Sequence, residues 1–195
     1  MGMAELVRER FAESIAVKEE ASRTLAIEIA QAVAEIVCCF RDGGKVLIAG
    51  NGGSAADAQH IAAEFVGRFK MERRALPAIA LTTNTSILTA IGNDYEYDMV
   101  FSRQAEALVQ PGDVFIGIST SGNAESVIRA VEAARAKGAF AIGMTGRDGG
   151  RLAQCVDIAL KVPSDDTPRI QETHITIAHV ICELVESEMF AHAEV

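Results

Sequence analysis

Two patterns of hydrophobic and polar positions alternate along most of the chain. Continuous apolar runs bounded by turn residues are typical of buried strands, and they fall at 45–49, 77–81, 114–118, 139–144 and 157–162. Stretches with helical spacing separate them, at 54–70, within 82–93, near 98–109, at about 124–137, in a short piece after the glycines at 146–150, and at 168–190. Strands that alternate with helices predict βαβ units, so we expect an α/β fold with a five-stranded parallel sheet flanked by helices.

The segment before the first strand, residues 4–41, shows helical spacing only. Its apolar rows are Val7, Phe11 and Ile15, and then Leu25, Ile29, Val33, Ile36, Val37 and Phe40. Ser22 is a candidate N-cap, so we expect two helices or one kinked helix, ending at Gly43-Gly44. A minimal α/β sheet does not need these helices, and we expect them to pack against partner subunits.

Length, composition and charge limit the classes of protein to which this chain can belong. The 195 residues, 49% of them hydrophobic, predict a single domain, which we divide into a helical region at 1–41 and an α/β core at 42–195. No apolar stretch reaches the roughly 18 residues that a membrane span needs, and Glu5 does not fit a signal peptide. A net charge of −9 argues against nucleic acid as a partner. The cysteines form no CxxC motif and predict reduced thiols in a cytoplasmic protein: Cys38, Cys39, Cys155 and Cys182.

The chain is organised around residues 50–64, GNGGSAADAQHIAAE, which follow the first strand. The glycines allow a sharp turn and a close approach of the backbone to a ligand. Ser54 is a candidate N-cap, and Asp57 three residues later gives a capping-box-like pattern. Backbone N–H groups and the positive end of a helix would then favour an anion in this turn.

The same turn has competing interpretations. A P-loop requires Gly-Lys-Ser/Thr after its glycines, and that sequence is missing. Gly50, Gly52 and Ala55 fit the dinucleotide fingerprint, but the second strand ends in Thr82-Thr83-Asn84 rather than in an acid. Phosphate binding therefore ranks above dinucleotide binding, and glycines that serve tight packing alone stay an alternative.

A second turn of the same kind follows the third strand. Its sequence, Ser119-Thr120-Ser121-Gly122-Asn123, leads from a strand into a helix and adds hydroxyl donors. Both turns would lie at the carboxyl edge of one parallel sheet, where open α/β sheets bind ligands. A small phosphorylated molecule fits such a place.

Candidate metal ligands lie on two of the predicted helices. His60 and Glu64 stand four residues apart and share a face. The last helix adds Gln171, Glu172, His174 and His179. A His/Glu/Gln/His set suits zinc, but a surface ion pair, a core position for His179 and a solvated His192 are the ordinary alternatives. Gln171 and His179 are roughly 12 Å apart along a helix axis, so they share one ion only if they lean together or if different subunits contribute.

Four segments together resemble the sugar isomerase (SIS) domain family: GNGGSAADAQHIAAEF from residue 50, AIGND at 90–94, STSGN at 119–123 and RIQETH at 169–174. They are similar to those members that convert sedoheptulose 7-phosphate to D-glycero-D-manno-heptose 7-phosphate. The resemblance covers nearly the whole chain. It implies a flavodoxin-like three-layer sandwich, a homotetramer with active sites at subunit interfaces, and the first step of nucleotide-activated heptose biosynthesis for lipopolysaccharide core or other surface glycans.

The resemblance also implies roles for single residues. One Zn²⁺ per active site is expected at His60, Glu64, Gln171 and His179. Substrate contacts are expected at Asn51, Gly52, Gly53, Ser54, Glu64, Asn93, Asp94, Ser119, Thr120, Ser121 and Gln171. An aldose–ketose isomerisation through an enediol needs a base near C1 and C2 and an acid for the oxygens, and Glu64 and His179 are the catalytic candidates.

Departures from the family pattern and rival classes bear on this assignment. Ala124 stands where many members have serine, and Pro168 stands where some have an acid that Asp165 or Asp166 could replace. Arg68 could touch a phosphate or form a surface ion pair. Two rival classes share the SIS fold. One is a non-catalytic SIS protein that associates with the replication initiator and lacks the acid and the last histidine; the other is a SIS regulator that binds a sugar phosphate.

Because Glu64 and His179 are both present in this chain, the sequence favours the enzyme.

Overall fold

Five parallel strands form one sheet in a computed structural model that describes residues 2–191. They are β1 Val46–Gly50, β2 Ala78–Ala80, β3 Val114–Ser119, β4 Phe140–Gly146 and β5 Ile158–Val162. Their order across the sheet is β2-β1-β3-β4-β5, and each neighbouring pair is parallel. The predicted strands are confirmed with ends displaced by one or two residues. His192, predicted to lie in a solvated tail, is outside the described residues.

Helices cover both faces of the sheet. They are α1 Met3–Thr24, α2 Ala26–Arg41, α3 Gly53–Val66, α4 Thr85–Asp94, α5 Ser102–Leu108, α6 Glu125–Ala136, α7 Leu152–Cys155 and α8 Thr167–Phe190, with a 3-10 turn at Tyr97–Met99. Alternate side chains of β1 and β3 point to opposite faces because successive residues of a strand do so. Val46 and Ile48 join the core under α2, α3 and α8, whereas Leu47 and Ala49 join the core under α5 and α6. The three-layer sandwich is therefore confirmed.

The register of the sheet brings the two predicted ligand turns together. β1 pairs with β2 on one side and with β3 on the other, so the direction of chain connection reverses between β1 and β3. Gly50 at the end of β1 pairs with Ile118, one residue before Ser119. Open α/β sheets bind ligands at such a reversal, outside the carboxyl ends of the strands.

The N-terminal segment forms two helices, and its predicted cap is wrong. The break lies at Leu25, whose φ of −119° and ψ of 1° leave the helical region. Ser22 does not cap α2, because its hydroxyl donates back to the carbonyl of Glu19 at 2.7 Å within α1. The division of the chain into regions at 1–41 and 42–195 stays a prediction. Among the described helices, none has both the length and the apolarity that crossing a membrane requires.

Candidate active site

The glycine turn joins β1 to α3 with a backbone conformation that a side chain would strain at Gly52 and a close approach that a side chain would obstruct at Gly50. Gly52 has φ of +56° and ψ of −120°, and a Cβ on Gly50 would lie 2.7 Å from the carbonyl oxygen of Ser54. Gly52 holds the N-cap position of α3, and within residues 2–191 no side chain caps this helix. The predicted capping box of Ser54 and Asp57 is therefore wrong, because Ser54 is buried within the first turn.

Asn51, predicted to contact substrate, is held by two neighbours that the sequence did not indicate. Its Nδ2 donates to Ser126 Oγ at 2.9 Å, and the Tyr97 hydroxyl donates to its Oδ1 at 2.7 Å. Tyr97 follows closely on Asn93 and Asp94, which form their own side-chain hydrogen bond of 2.8 Å at the end of α4. These contacts tie the segment after α4 and the start of α6 to the glycine turn.

The second turn, residues 119–123, is an ordered loop at the end of β3. Ser119 is buried, and its Oγ accepts a hydrogen bond of 3.4 Å from the backbone N–H of Ala124, the N-cap residue of α6. Gly122 has φ of +67°, and a Cβ there would lie 2.0 Å from the carbonyl oxygen of Gly149. The loop is thus locked against the glycine-rich turn after β4. Thr120 is half-buried and Ser121 is exposed.

A cavity of 660 Å³ opens beside this second turn. It is lined by Ser121, Asn123, Arg147, Asp148, Pro163, Ser164 and Asp165. Arg147 has a φ of +55°, which is uncommon for a residue with a side chain, and its Nε lies 3.4 Å from Asp165 Oδ1. Asp165, one of the two acids suggested as a replacement at Pro168, therefore borders the pocket, while Asp166 is the N-cap residue of α8.

Three of the predicted metal ligands converge. Nε2 of His60 lies 3.0 Å from Glu64 Oε1 and 3.4 Å from Nε2 of His179. One ligand atom from each of these residues lies within 4.8 Å of the other two. His60 is exposed, and Glu64 and His179 are half-buried, with the ring of Phe69 packed 5.6 Å from that of His179. Two imidazole nitrogens and a carboxylate form a donor set that fits zinc.

Gln171 lies at the other end of α3 from these three residues. A Cβ on Gly53 would come within 2.6 Å of Gln171 Nε2, so this amide rests on the glycine turn. Gln171 therefore faces the start of α3 and His179 faces its later turns, which means that the two helices run side by side in one direction. This position suits the predicted substrate contact of Gln171, whose role as a metal ligand stays a prediction.

The other polar residues singled out on α8 lie elsewhere. His174 is fully buried with its Nε2 3.0 Å from the carbonyl oxygen of Thr145, and burial lowers its pKa to about 4. Its ring is therefore neutral at pH 7 and belongs to the core. Glu172 pairs with Arg169 at 2.8 Å. Arg68 is exposed and lies 3.6 Å from Glu72, as expected for a surface ion pair.

The chain is similar to known proteins in sequence and in fold. The SIS domain family model matches residues 10–146. A protein named phosphoheptose isomerase from Pelobacter propionicus is 61% identical over 163 residues, which is 84% of this chain and 86% of that protein. A phosphoheptose isomerase structure from Neisseria gonorrhoeae has a TM-score of 0.91 and 49% identity, with 95% of this chain and 100% of that chain covered. One from Francisella tularensis has a TM-score of 0.92 and 39% identity, with 96% and 100% covered.

These relatives match in sequence and in fold over nearly all of the chain. The resemblance seen in the motifs is confirmed, and the enzyme is favoured over the non-catalytic and regulatory classes. The chain therefore belongs to the SIS domain family and, within it, to the phosphoheptose isomerases, a family of enzymes.

Proposed function

We propose that this enzyme converts sedoheptulose 7-phosphate to D-glycero-D-manno-heptose 7-phosphate by proton transfer between C1 and C2. The observation that carries the proposal is that the two ligand turns meet at one edge of the sheet, while His60 and Glu64 on α3 meet His179 on α8 farther along the helix that leaves the glycine turn. A sugar phosphate needs both an anion site and a reactive group, because one end must be anchored while the other reacts.

The phosphate is assigned to the second turn. Ser119, Thr120 and Ser121 offer hydroxyls and backbone N–H groups at the N-terminus of α6, where the helix dipole favours an anion. Ala124 supplies no hydroxyl at the cap position, so the serine and threonine donors of the loop bear more of the binding. Asn51, Gly52, Gly53, Ser54, Asn93, Asp94 and Gln171 are proposed to contact the sugar.

The proton transfer is assigned to Glu64 and His179. A carboxylate at Glu64 can take the proton from the carbon next to the carbonyl and return it to the neighbouring carbon. His179 can donate to or accept from the sugar oxygens only through a ring nitrogen that does not hold the metal, because its Nε2 lies 3.4 Å from His60 Nε2, in the proposed metal group. The enediol forms and collapses with no net change in atoms, because the proton that leaves one carbon is restored to the other.

A zinc ion fits the donor set of His60, Glu64 and His179. Gln171, which rests on the glycine turn in this chain, is proposed as the fourth ligand either by leaning toward the ion or from a different subunit. Bound there, zinc would polarise the carbonyl and draw the two sugar oxygens into place. The chain's own residues would orient the substrate and move the proton.

We further propose a cytoplasmic homotetramer that supplies nucleotide-activated heptose for lipopolysaccharide core or other surface glycans. The exposed apolar row on α1 supports self-association, and a neighbouring subunit could complete the site around the exposed His60.

A turnover assay with sedoheptulose 7-phosphate tests the function. The purified enzyme should form the aldose phosphate, lose activity in a chelator and regain it with Zn²⁺. His60→Ala should lose bound zinc by elemental analysis, whereas Glu72→Ala, which removes an exposed acid on the loop after α3, should keep it. Absence of turnover with full zinc occupancy would refute the proposed substrate, and full zinc in His60→Ala would refute the metal site.

A further inference from the structure

A buried ion pair holds the segment that follows α3. Arg73 Nε lies 2.9 Å from Glu186 Oε1, and each of the two side chains is 2% exposed. The Glu186 carboxylate also accepts hydrogen bonds from three successive backbone N–H groups, those of Phe69, Lys70 and Met71, at 2.9, 2.7 and 2.9 Å. Burial raises the pKa of Glu186, but these donors outweigh it, and the pKa lies below its usual value.

Arg73 also donates hydrogen bonds to carbonyls at the end of α3. Its Nη2 donates to the carbonyl oxygen of Glu64 at 2.8 Å, and its Nη1 donates to the carbonyl of Phe65 at 2.8 Å. The last carbonyls of a helix have no intrahelical partner, and a cation there also complements the helix dipole. Arg73 thus caps the carboxyl end of α3 from inside the protein.

The ion pair is connected to two residues of the proposed metal group, Glu64 and His179. It holds the backbone of Glu64 directly, through the Arg73 hydrogen bond. It also holds Phe69, whose N–H binds Glu186 and whose ring packs against the ring of His179. A buried ion pair is weak evidence for a gain in net stability. The hydrogen bonds of this pair do fix the positions of Glu64 and Phe69 relative to each other.

We propose that Glu186 and Arg73 are positioning residues that preorganise His60, Glu64 and His179 for a divalent metal ion. They act through the Glu64 backbone and the Phe69 ring. The inference rests on the metal site of the proposed function and extends it to two residues that the motifs did not indicate. In metal sites, mutation of residues that hold the ligands in place commonly lowers metal affinity by about 10–100-fold.

Zinc titration against a chromogenic chelator tests this with Glu186→Gln. This variant keeps the side-chain shape and removes the charge, and we expect zinc to bind about 10–100-fold more weakly. The matched control is Glu72→Gln in the same segment, which removes the exposed ion pair with Arg68 at 3.6 Å and leaves the Glu186 carboxylate and the Phe69 ring in place. Glu72→Gln should bind zinc as the wild type does.

Phe69→Leu provides a second route to the same answer if Glu186→Gln does not fold. It removes the ring beside His179, leaves the ion pair intact, and should also weaken zinc binding and alter the absorption spectrum of bound Co²⁺. Wild-type zinc affinity in folded Glu186→Gln, or in Phe69→Leu, would overturn the inference, as would an equal loss of zinc affinity in Glu72→Gln. A wild-type protein that binds no zinc would instead overturn the metal site itself and the inference with it.

Discussion

Among single residues, Glu64 has two proposed roles that compete for one carboxylate. Its Oε1 lies 3.0 Å from His60 Nε2, so it stands where a metal would be shared with that imidazole. A nearby positive charge stabilises the ionised carboxylate and lowers its basicity. We therefore expect Glu64 to bind the metal weakly or in part of the cycle, leaving it free to take the substrate proton.

Replacing Glu64 with glutamine should separate these roles. Glu64→Gln keeps the shape and removes the base, so turnover should fall by about 10²–10⁴-fold while substrate still binds. Incorporation of solvent deuterium at C1 and C2 measures the proton transfer itself. The exposed Glu72→Gln should exchange at the wild-type rate. If Glu64→Gln also exchanges the proton at that rate, Glu64 is not the base.

His174 should make the stability of the protein depend on pH. Burial lowers its pKa from 6.5 to about 4, so the unfolded chain binds a proton at a pH where the folded chain does not. The free energy of unfolding should therefore carry no penalty from His174 above pH 6.5, and it should fall by about 3 kcal/mol as the pH drops to about 4. Urea unfolding of wild type and His174→Gln across this range measures the difference. Identical pH slopes in the two proteins would show that His174 does not contribute.

At the scale of elements, the loop after β3 works as a unit because its backbone is locked. The close contact of Gly122 with Gly149 and the hydrogen bond from Leu152 N–H to the Gly122 carbonyl at 2.8 Å hold this loop against the turn after β4. A loop held in this way presents its donors without an ordering cost when the ligand binds.

Removing one hydroxyl from this loop should weaken substrate binding. Hydrogen bonds to a charged phosphate contribute roughly 1.5–3 kcal/mol each, so Ser119→Ala should raise the dissociation constant by about one to two decades. Calorimetry with substrate or product measures this change. Ser22→Ala, an exposed hydroxyl on α1, serves as the control. Unchanged affinity in both Ser119→Ala and Ser121→Ala would place the phosphate elsewhere.

For the whole molecule, the exposed apolar row on α1 is the feature that supports the proposed self-association. Val7, Phe11 and Ile15 are 49%, 68% and 55% exposed in the single chain. Contiguous apolar surface of this kind marks interfaces in soluble proteins. The same association could bring residues of one subunit to the exposed His60 of another.

Light scattering should therefore give about four times the chain mass of 20.7 kDa. Phe11→Asp places a charge in the exposed apolar row and should yield smaller species, whereas Glu9→Gln on the same helix should leave the mass unchanged. A wild-type protein that stays monomeric at micromolar concentration would contradict the assembly and the interface sites.

Local sequence patterns predicted the strands and the ligand turns because each of these depends on residues that are close together in the chain. Continuous apolar runs located all five strands of the described sheet, and the glycine and serine turns were recognised at the ends of β1 and β3. The predicted caps at Ser22 and Ser54 were wrong. Glycine conformations and backbone geometry, rather than side-chain hydrogen bonds, set those helix starts.

The sequence alone thus determined the fold class, the family and the two turns, since each is encoded in contiguous residues. Tertiary structure decided which polar residues of α8 meet α3. His179 joins His60 because the two helices run side by side, whereas His174, five residues earlier, faces β4 and is buried. Glu186 binds a loop more than a hundred residues earlier in the chain. No local sequence pattern predicts the contact between Glu186 and this loop, because the contact depends on how the helices pack in the folded chain.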